Sequence, residues 1–301
     1  MTGGTGFIGT RFVHDATAAG YRVRLLTRHP GRLAPGTETR PFDLGAVEPI
    51  DPDVLRGCNA VVHIAAYTPA NHTHPEEAET CWRLNALGTL RLVQAVEQAG
   101  IGRFVQITGA NAYATWTGKP DESAPMFPAE RVFYLGSKIA QEIYADFMCS
   151  THGIEITTLR ASSVYGSGQP SGAIRTLACK LLRNETVSLS NLGRYGADFV
   201  TVGDVSKALL IVLRRGASGT YNIGSGVRST IAEVAAKLAD LTGADPDKLR
   251  FEETSTQPDQ GFPALNITKA RALGYRPTSL DQGLLDLVTW LKSTGADRRS
   301  G

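Results

Sequence analysis

Apolar positions along the chain change period several times. From Phe7 they recur at helical spacing through Phe12, Val13 and Ala16, which predicts a helix opening directly after a cluster of glycines. YRVRLLTR (21–28), NAVVHIAAYT (59–68), GRFVQITGANAY (102–113) and GIEITTLRASSVYG (153–166) are short apolar runs that predict strands. WRLNALGTLRLVQAVEQAG (82–100) returns to helical spacing and stops at Gly100, and a further helix is expected over about 133–150. Strands alternating with helices imply parallel pairing through crossover connections. The result is a doubly wound α/β sheet whose ligands sit beyond the carboxyl ends of the strands. After Gly166 the alternation breaks down in GSGQPSG, whereas DFVTVGDVSKALLIVLRRG (198–216) again reads as a strand and a helix. The terminal TGADRRSG is expected to fray.

The glycines change the picture first. In MTGGTGFIGT, Gly4, Gly6 and Gly9 fit G-x-G-x-x-G, and Gly3, Gly6 and Gly9 fit G-x-x-G-x-x-G. Such a turn omits Cβ atoms so that a pyrophosphate can approach the backbone and the following helix can pack close, offering free N–H groups to phosphate. It ordinarily follows a buried strand, yet only Met1 and Thr2 precede it here. The first strand is therefore expected to be missing or truncated.

Composition narrows the class. The 301 residues, 42% apolar, are enough for one large or two modest domains. A net charge of +2 without basic runs argues against nucleic acid and anionic membrane as partners. No apolar run reaches the ~18 residues of a membrane helix. Cys58, Cys81, Cys149 and Cys179 lie far apart with no C-x-x-C, which suggests reduced thiols and no zinc site. His72 and His74 read as a solvated loop pair, so no metal is expected. A phosphate loop this early leaves no room for a signal peptide, and a cytoplasmic location is the expectation.

The sharpest chemical signal is YLGSK, which puts Tyr134 and Lys138 on one helical face. A free phenol with a pKa near 10 is only about 0.1% ionised at neutral pH. A neighbouring ammonium stabilises tyrosinate and makes the pair a candidate general acid or base.

TGGTGFIG, HIAA, NALGT, YLGSK, LRASSVYG, FVTVGDV, YNIGSG and LGYRP follow one another in an order that resembles the extended short-chain dehydrogenases/reductases, the nucleotide-sugar epimerase/dehydratase family, over about residues 2–292. The resemblance implies a Rossmann-like domain over 1–166, with 198–223 returning to it, and a smaller, discontinuous substrate-binding lobe within 167–301. It implies NAD(P) on Gly3, Gly6, Phe7, Ile8 and Gly9, with Asp43 and Leu44 at the adenine, Ala65 and Ala66 along the cofactor, and Tyr134 and Lys138 at the reactive end. Helices around Leu90 and Tyr144 are implied as a homodimer surface. Relatives begin with a longer strand ending V-T-G-G-T-G, so the biological chain is expected to start upstream, with Met1 where a strand-ending valine would stand.

The sequence also departs from the family. Gly109 occupies the place of a Ser or Thr that polarises the substrate carbonyl, leaving Thr108, Asn111 or Tyr113 as stand-ins. Thr108 should face the opposite side if the strand is unbroken. Arg28 stands where NAD-preferring relatives carry an acid, so NADP(H) is favoured, with NAD(H) the alternative. Ser163 and Ala197 replace an Asn and an Arg that hold a diphosphate, which makes Arg194 a candidate, with Arg175 and Arg228 behind it. The expected activity is an NADPH-dependent ketoreductase acting on a nucleotide-linked keto-sugar. The alternatives are an epimerase or dehydratase with an internal redox cycle, and a non-catalytic NADP-sensing protein.

Overall fold

The glycine turn delivers the chain into α1 (Phe7–Ala18), whose buried face is Gly9, Phe12, Val13 and Ala16. In this computed structural model residues 1–28, 37–114, 118–128, 130–254 and 261–297 are described, and every structural statement below concerns them. The end of the terminal tail, 298–301, lies outside them. Parallel strands and helices then alternate through β1 (Val23–Thr27), β2 (Thr37–Pro41), β3 (Val61–His63), α2 (Glu76–Cys81), α3 (Gly88–Gln98), β4 (Arg103–Gly109), α4 (Val132–Thr151) and β5 (Glu155–Ala161). Between α2 and α3, residues Trp82–Leu87 wind as a π-helix. The chain continues through β6 (Ser163–Tyr165), α5 (Ala173–Leu182), β7 (Val187–Ser190), β8 (Gly196–Thr201), α6 (Val202–Arg215), β9 (Gly219–Ile223), β10 (Arg228–Thr230), α7 (Ile231–Thr242), β11 (Leu249–Glu252), α8 (Thr268–Ala272) and α9 (Leu280–Thr294).

The first strand survives as a single bridge. Thr2 pairs in parallel with Leu26 on one side and His63 on the other, joining the β1-β2 pair to the four strands β3-β4-β5-β9. Leu26 N donates to the Met1 carbonyl at 2.8 Å and Thr2 N to the Val62 carbonyl at 3.0 Å. Two residues thus close the ladder at its carboxyl end, just before the glycine turn. Towards the other end of the strands a cavity of about 490 Å³ opens between Val23 and Arg24 on one side and Ala60 and Val62 on the other.

Alternation along the strands separates two cores. Leu25, Val105 and Leu159 join Phe12, Val13 and Leu209 beneath α1 and α6. Leu26, Phe104 and Ile156 join Leu92, Val96 and Ala145 beneath α3 and α4. A third cluster lies among α5, α7 and α9, with Leu177, Leu181, Leu238, Leu284 and Leu287 at its centre. β9 pairs with β5, while β8 lies between β6 and β10 in a separate sheet. Asp198 of β8 binds the loop after β9, accepting from Ser225 N at 2.6 Å and Gly226 N at 3.0 Å. β4 and β5 end side by side at Gly109 and Ala161, on the wall of a cavity of about 740 Å³.

Candidate active site

The glycine turn is shaped by close approach. Gly3 has φ +70°, and a Cβ there would lie 2.5 Å from Ala65 N; a Cβ on Gly9 would lie 1.9 Å from the Gly3 carbonyl oxygen. No side chain caps α1, so its first-turn N–H groups face the cavity in front of it. That cavity, about 640 Å³, runs from Arg28, Asp43 and Leu44 past Gly3, Gly6, Phe7, Ile8 and Gly9 to Ala65 and Ala66, and ends at Tyr134 and Lys138. A groove with bare backbone at a helix start, a cation at one end and a Tyr–Lys pair at the other fits a nicotinamide dinucleotide.

At the reactive end, burial pushes the Tyr134 phenol above its usual range, while a hydrogen bond with Thr68 and the charge of Arg131 oppose the shift. The Lys138 ammonium donates to the Ile107 carbonyl at 3.0 Å and to Gln141 Oε1. Burial lowers its pKa to about 7, and the Glu142 carboxylate works in the other direction. Asn85, on the π-helix, fastens this end of the site: its amide donates to the Tyr67 carbonyl and to Ser137 Oγ, both at 2.9 Å, and its carbonyl accepts from Tyr67 N at 2.7 Å. The loop after β3 is thereby tied to α4. π-Turns concentrate at such positions because they re-aim single side chains.

A second cavity, about 740 Å³, meets the first around Tyr134, Thr108 and Ile8 and extends towards α5 and β7. Gly109, Asn111 and Ser163 line it, and the Asn111 amide lies 3.5 Å from Ser163 Oγ. Thr108 borders both cavities, but its hydroxyl donates to Glu142 at 3.0 Å, a carboxylate already held by Arg160. The Tyr113 hydroxyl donates to Asn222 at 2.6 Å and accepts from Arg160 at 2.9 Å. Of the three stand-ins for the absent Gly109 hydroxyl, Asn111 alone is not committed to the buried Glu142–Arg160–Asn222 cluster.

Arg194 is not brought to this cavity; it is paired with Glu253 at 3.5 Å. The cations that do line it are Arg131 and Lys180. Sequence reasoning missed both. Arg131 precedes α4 in a left-handed conformation, φ 50° and ψ 40°, uncommon for a residue with a Cβ, and it carries no local motif. Lys180 belongs to an amphipathic helix whose placement only the folded lobe reveals. Asn85, within NALGT, was visible as a motif but not as a tie.

Fold and site together define a nicotinamide-dinucleotide enzyme whose Tyr–Lys pair ends the first cavity, with Tyr134 also bordering a second one. The sequence pattern of the NAD dependent epimerase/dehydratase family matches residues 1–224, and the chain belongs to that family. A dTDP-glucose 4,6-dehydratase of Streptomyces niveus is 30% identical, the match covering 98% of this chain and 93% of the relative. Among solved structures, UDP-glucose 4-epimerase of Thermotoga maritima with UDP-glucose superposes with a TM-score of 0.83 at 26% identity, covering 97% of this chain and 98% of the other. The dTDP-glucose 4,6-dehydratase of Streptomyces venezuelae with NAD gives 0.82 at 28% identity, covering 98% and 97%. The Thermotoga structure holds UDP-glucose and the Streptomyces venezuelae structure NAD, and the three relatives are one epimerase and two dehydratases. A dedicated NADPH ketoreductase, the activity expected from the sequence, has no counterpart among them. No helix is long and apolar enough to cross a membrane.

Proposed function

We propose that the protein interconverts epimers of a nucleotide-linked hexose at one ring carbon, through a transient ketone, with its dinucleotide retained. The observation that carries this reading is the set of polar side chains lining the second, otherwise largely apolar cavity: hydroxyl, amide and cationic groups, and no carboxylate among the described residues. Loss of water from a sugar needs an acid for the departing hydroxyl and a base for a carbon-bound proton. Epimerisation needs one proton-handling group at the reacting oxygen, which Tyr134 supplies. A bound nicotinamide would supply the hydride acceptor and donor. Tyr134 starts as a tyrosinate stabilised by Lys138, takes the proton from the reacting hydroxyl, holds it as a neutral phenol while the ketone exists, and returns it. Arg131 and Lys180 suit a diphosphate, and Asn111 can donate to the ketone oxygen.

Arg28 at the adenine end supports a second reading of the cofactor, NADP(H) in place of NAD(H), because a guanidinium can pair with a 2′-phosphate. The redox cycle is the same with either. Trp82, Leu87, Ile143 and Phe147 leave an exposed apolar stripe along the π-helix and α4, with Tyr144 edge-on to Trp82 at 6.2 Å. A second copy of this chain is the partner that stripe fits best.

Replacing Tyr134 tests the reaction. Tyr134→Phe should lower kcat on a UDP- or dTDP-hexose by about 10²-fold or more while dinucleotide affinity stays within a few-fold of wild type. Full turnover in this variant would contradict the assignment.

A further inference from the structure

Lys138 has to carry a positive charge where burial opposes it: the residue is 3% exposed. An ammonium has three donors, and protein atoms take two of them, the Ile107 carbonyl at 3.0 Å and Gln141 Oε1. Gln141 lies one turn further along α4. Its own amide nitrogen donates to Gln106 Oε1 at 3.0 Å, and Gln106 Nε2 donates to Thr158 Oγ1 at 3.0 Å. Gln106 of β4 and Thr158 of β5 are direct register partners across the sheet, and Gln106, Gln141 and Thr158 are all buried.

Every bond in this chain runs from donor to acceptor away from Lys138. A glutamine amide has an acceptor end and a donor end, and an ammonium only donates. Gln141 therefore turns its oxygen to Lys138 and its amide nitrogen to Gln106, and Gln106 in turn donates to the Thr158 hydroxyl, so the chain holds Gln141 with its acceptor at the ammonium. Oriented dipoles in a low-dielectric interior reinforce one another.

We propose that Gln141, oriented by Gln106 and Thr158, is a positioning residue that keeps Lys138 charged and aims its remaining N–H at the dinucleotide cavity. This rests on the reading of Tyr134 and Lys138 given above and deepens it. The other ionisable groups around the ammonium do not duplicate the effect. Glu142, on the same helix, favours the charged form, but its carboxylate is engaged by Arg160 of β5 and by Thr108 of β4. His63 of β3 is neutral, its pKa driven down to about 3 by burial, with the amino group of Met1 beyond it. Tyr134 shares the helix face, and burial pushes both its phenol and the Cys81 thiol of α2 upward.

The test is the pH dependence of NADH affinity, followed by fluorescence titration of the full chain and needing no sugar. Affinity should weaken as Lys138 loses its proton. In Gln141→Met the midpoint of that loss should move down by about one pH unit, and in Gln141→Glu, which keeps an acceptor and adds charge, it should move up by a similar amount. Should Gln141→Met fail to fold, Thr158→Val leaves both protein contacts of Lys138 in place and should give a smaller downward shift. Unshifted midpoints in the variants, or a wild-type affinity that does not change with pH, overturn the proposal. A wild-type protein inert towards every nucleotide hexose would overturn the proposed reaction and leave the NADH result standing.

Discussion

At Gly109 the backbone has φ −118° and ψ 122°, ordinary extended geometry, and an added Cβ would meet only Leu135 Cδ2, at 3.5 Å. The glycine there is not required by the chain's path, unlike Gly3 and Gly9. A side chain at this position would enter the cavity that Tyr134 borders, so Gly109→Ser should fold normally and give the ketone oxygen a hydroxyl donor. Preorganised donors of that kind are worth up to 10²–10³ in rate, and we expect kcat to rise by about tenfold with dinucleotide affinity unchanged. A variant that binds cofactor normally and turns over no faster would mean that Asn111 already meets the need. At this scale the sequence was legible where chemistry is local. Tyr134 and Lys138 sit one turn apart on a single helix, and Gly3 to Gly9 belong to one turn. The commitment of the Thr108 hydroxyl to Glu142, and the Gln141–Gln106–Thr158 chain, depend on contacts spanning 34 to 52 residues, which no local pattern encodes.

Among the elements, α1, β1, β3, β4, α4, β5 and α6 follow patterns visible along the chain, because the helices bury one face against the sheet and the central strands are apolar runs buried on both faces. The π-turn at Trp82–Leu87 was not visible; its residues read as the start of one continuous helix. Its effect is to turn Asn85 and Ala86 inward while Trp82 and Leu87 stay exposed. With Ile143 and Phe147 of α4 they form an apolar face left exposed by the described residues. Light scattering should give the mass of two chains, and Phe147→Glu should shift the protein towards one chain, since a carboxylate in a desolvated contact is costly. A wild-type mass of one chain at micromolar concentration would contradict the pairing.

Over the whole molecule, the carboxyl ends of the strands bring the glycine turn, the end of β4 and the start of α4 together, and the second cavity runs from there to α5 and β7. The first strand is truncated to the Thr2 bridge, which lies between β1 and β3 and links the two parts of the sheet just before the turn. The lobe was the least legible part. β7, β10 and β11 are three or four residues long, too short for a period to declare itself, and the cations of the second cavity, Arg131 before α4 and Lys180 on α5, gave no sequence signal.

The central claim is that this arrangement epimerises a nucleotide hexose and does not dehydrate or reduce it. Incubating the purified protein with UDP-glucose and dTDP-glucose, and following the sugar by NMR and mass spectrometry, tests it most directly. The account predicts a sugar of unchanged mass with one inverted ring centre, formed without added or consumed dinucleotide. A product lighter by one water, or turnover that requires stoichiometric NADPH, would contradict it.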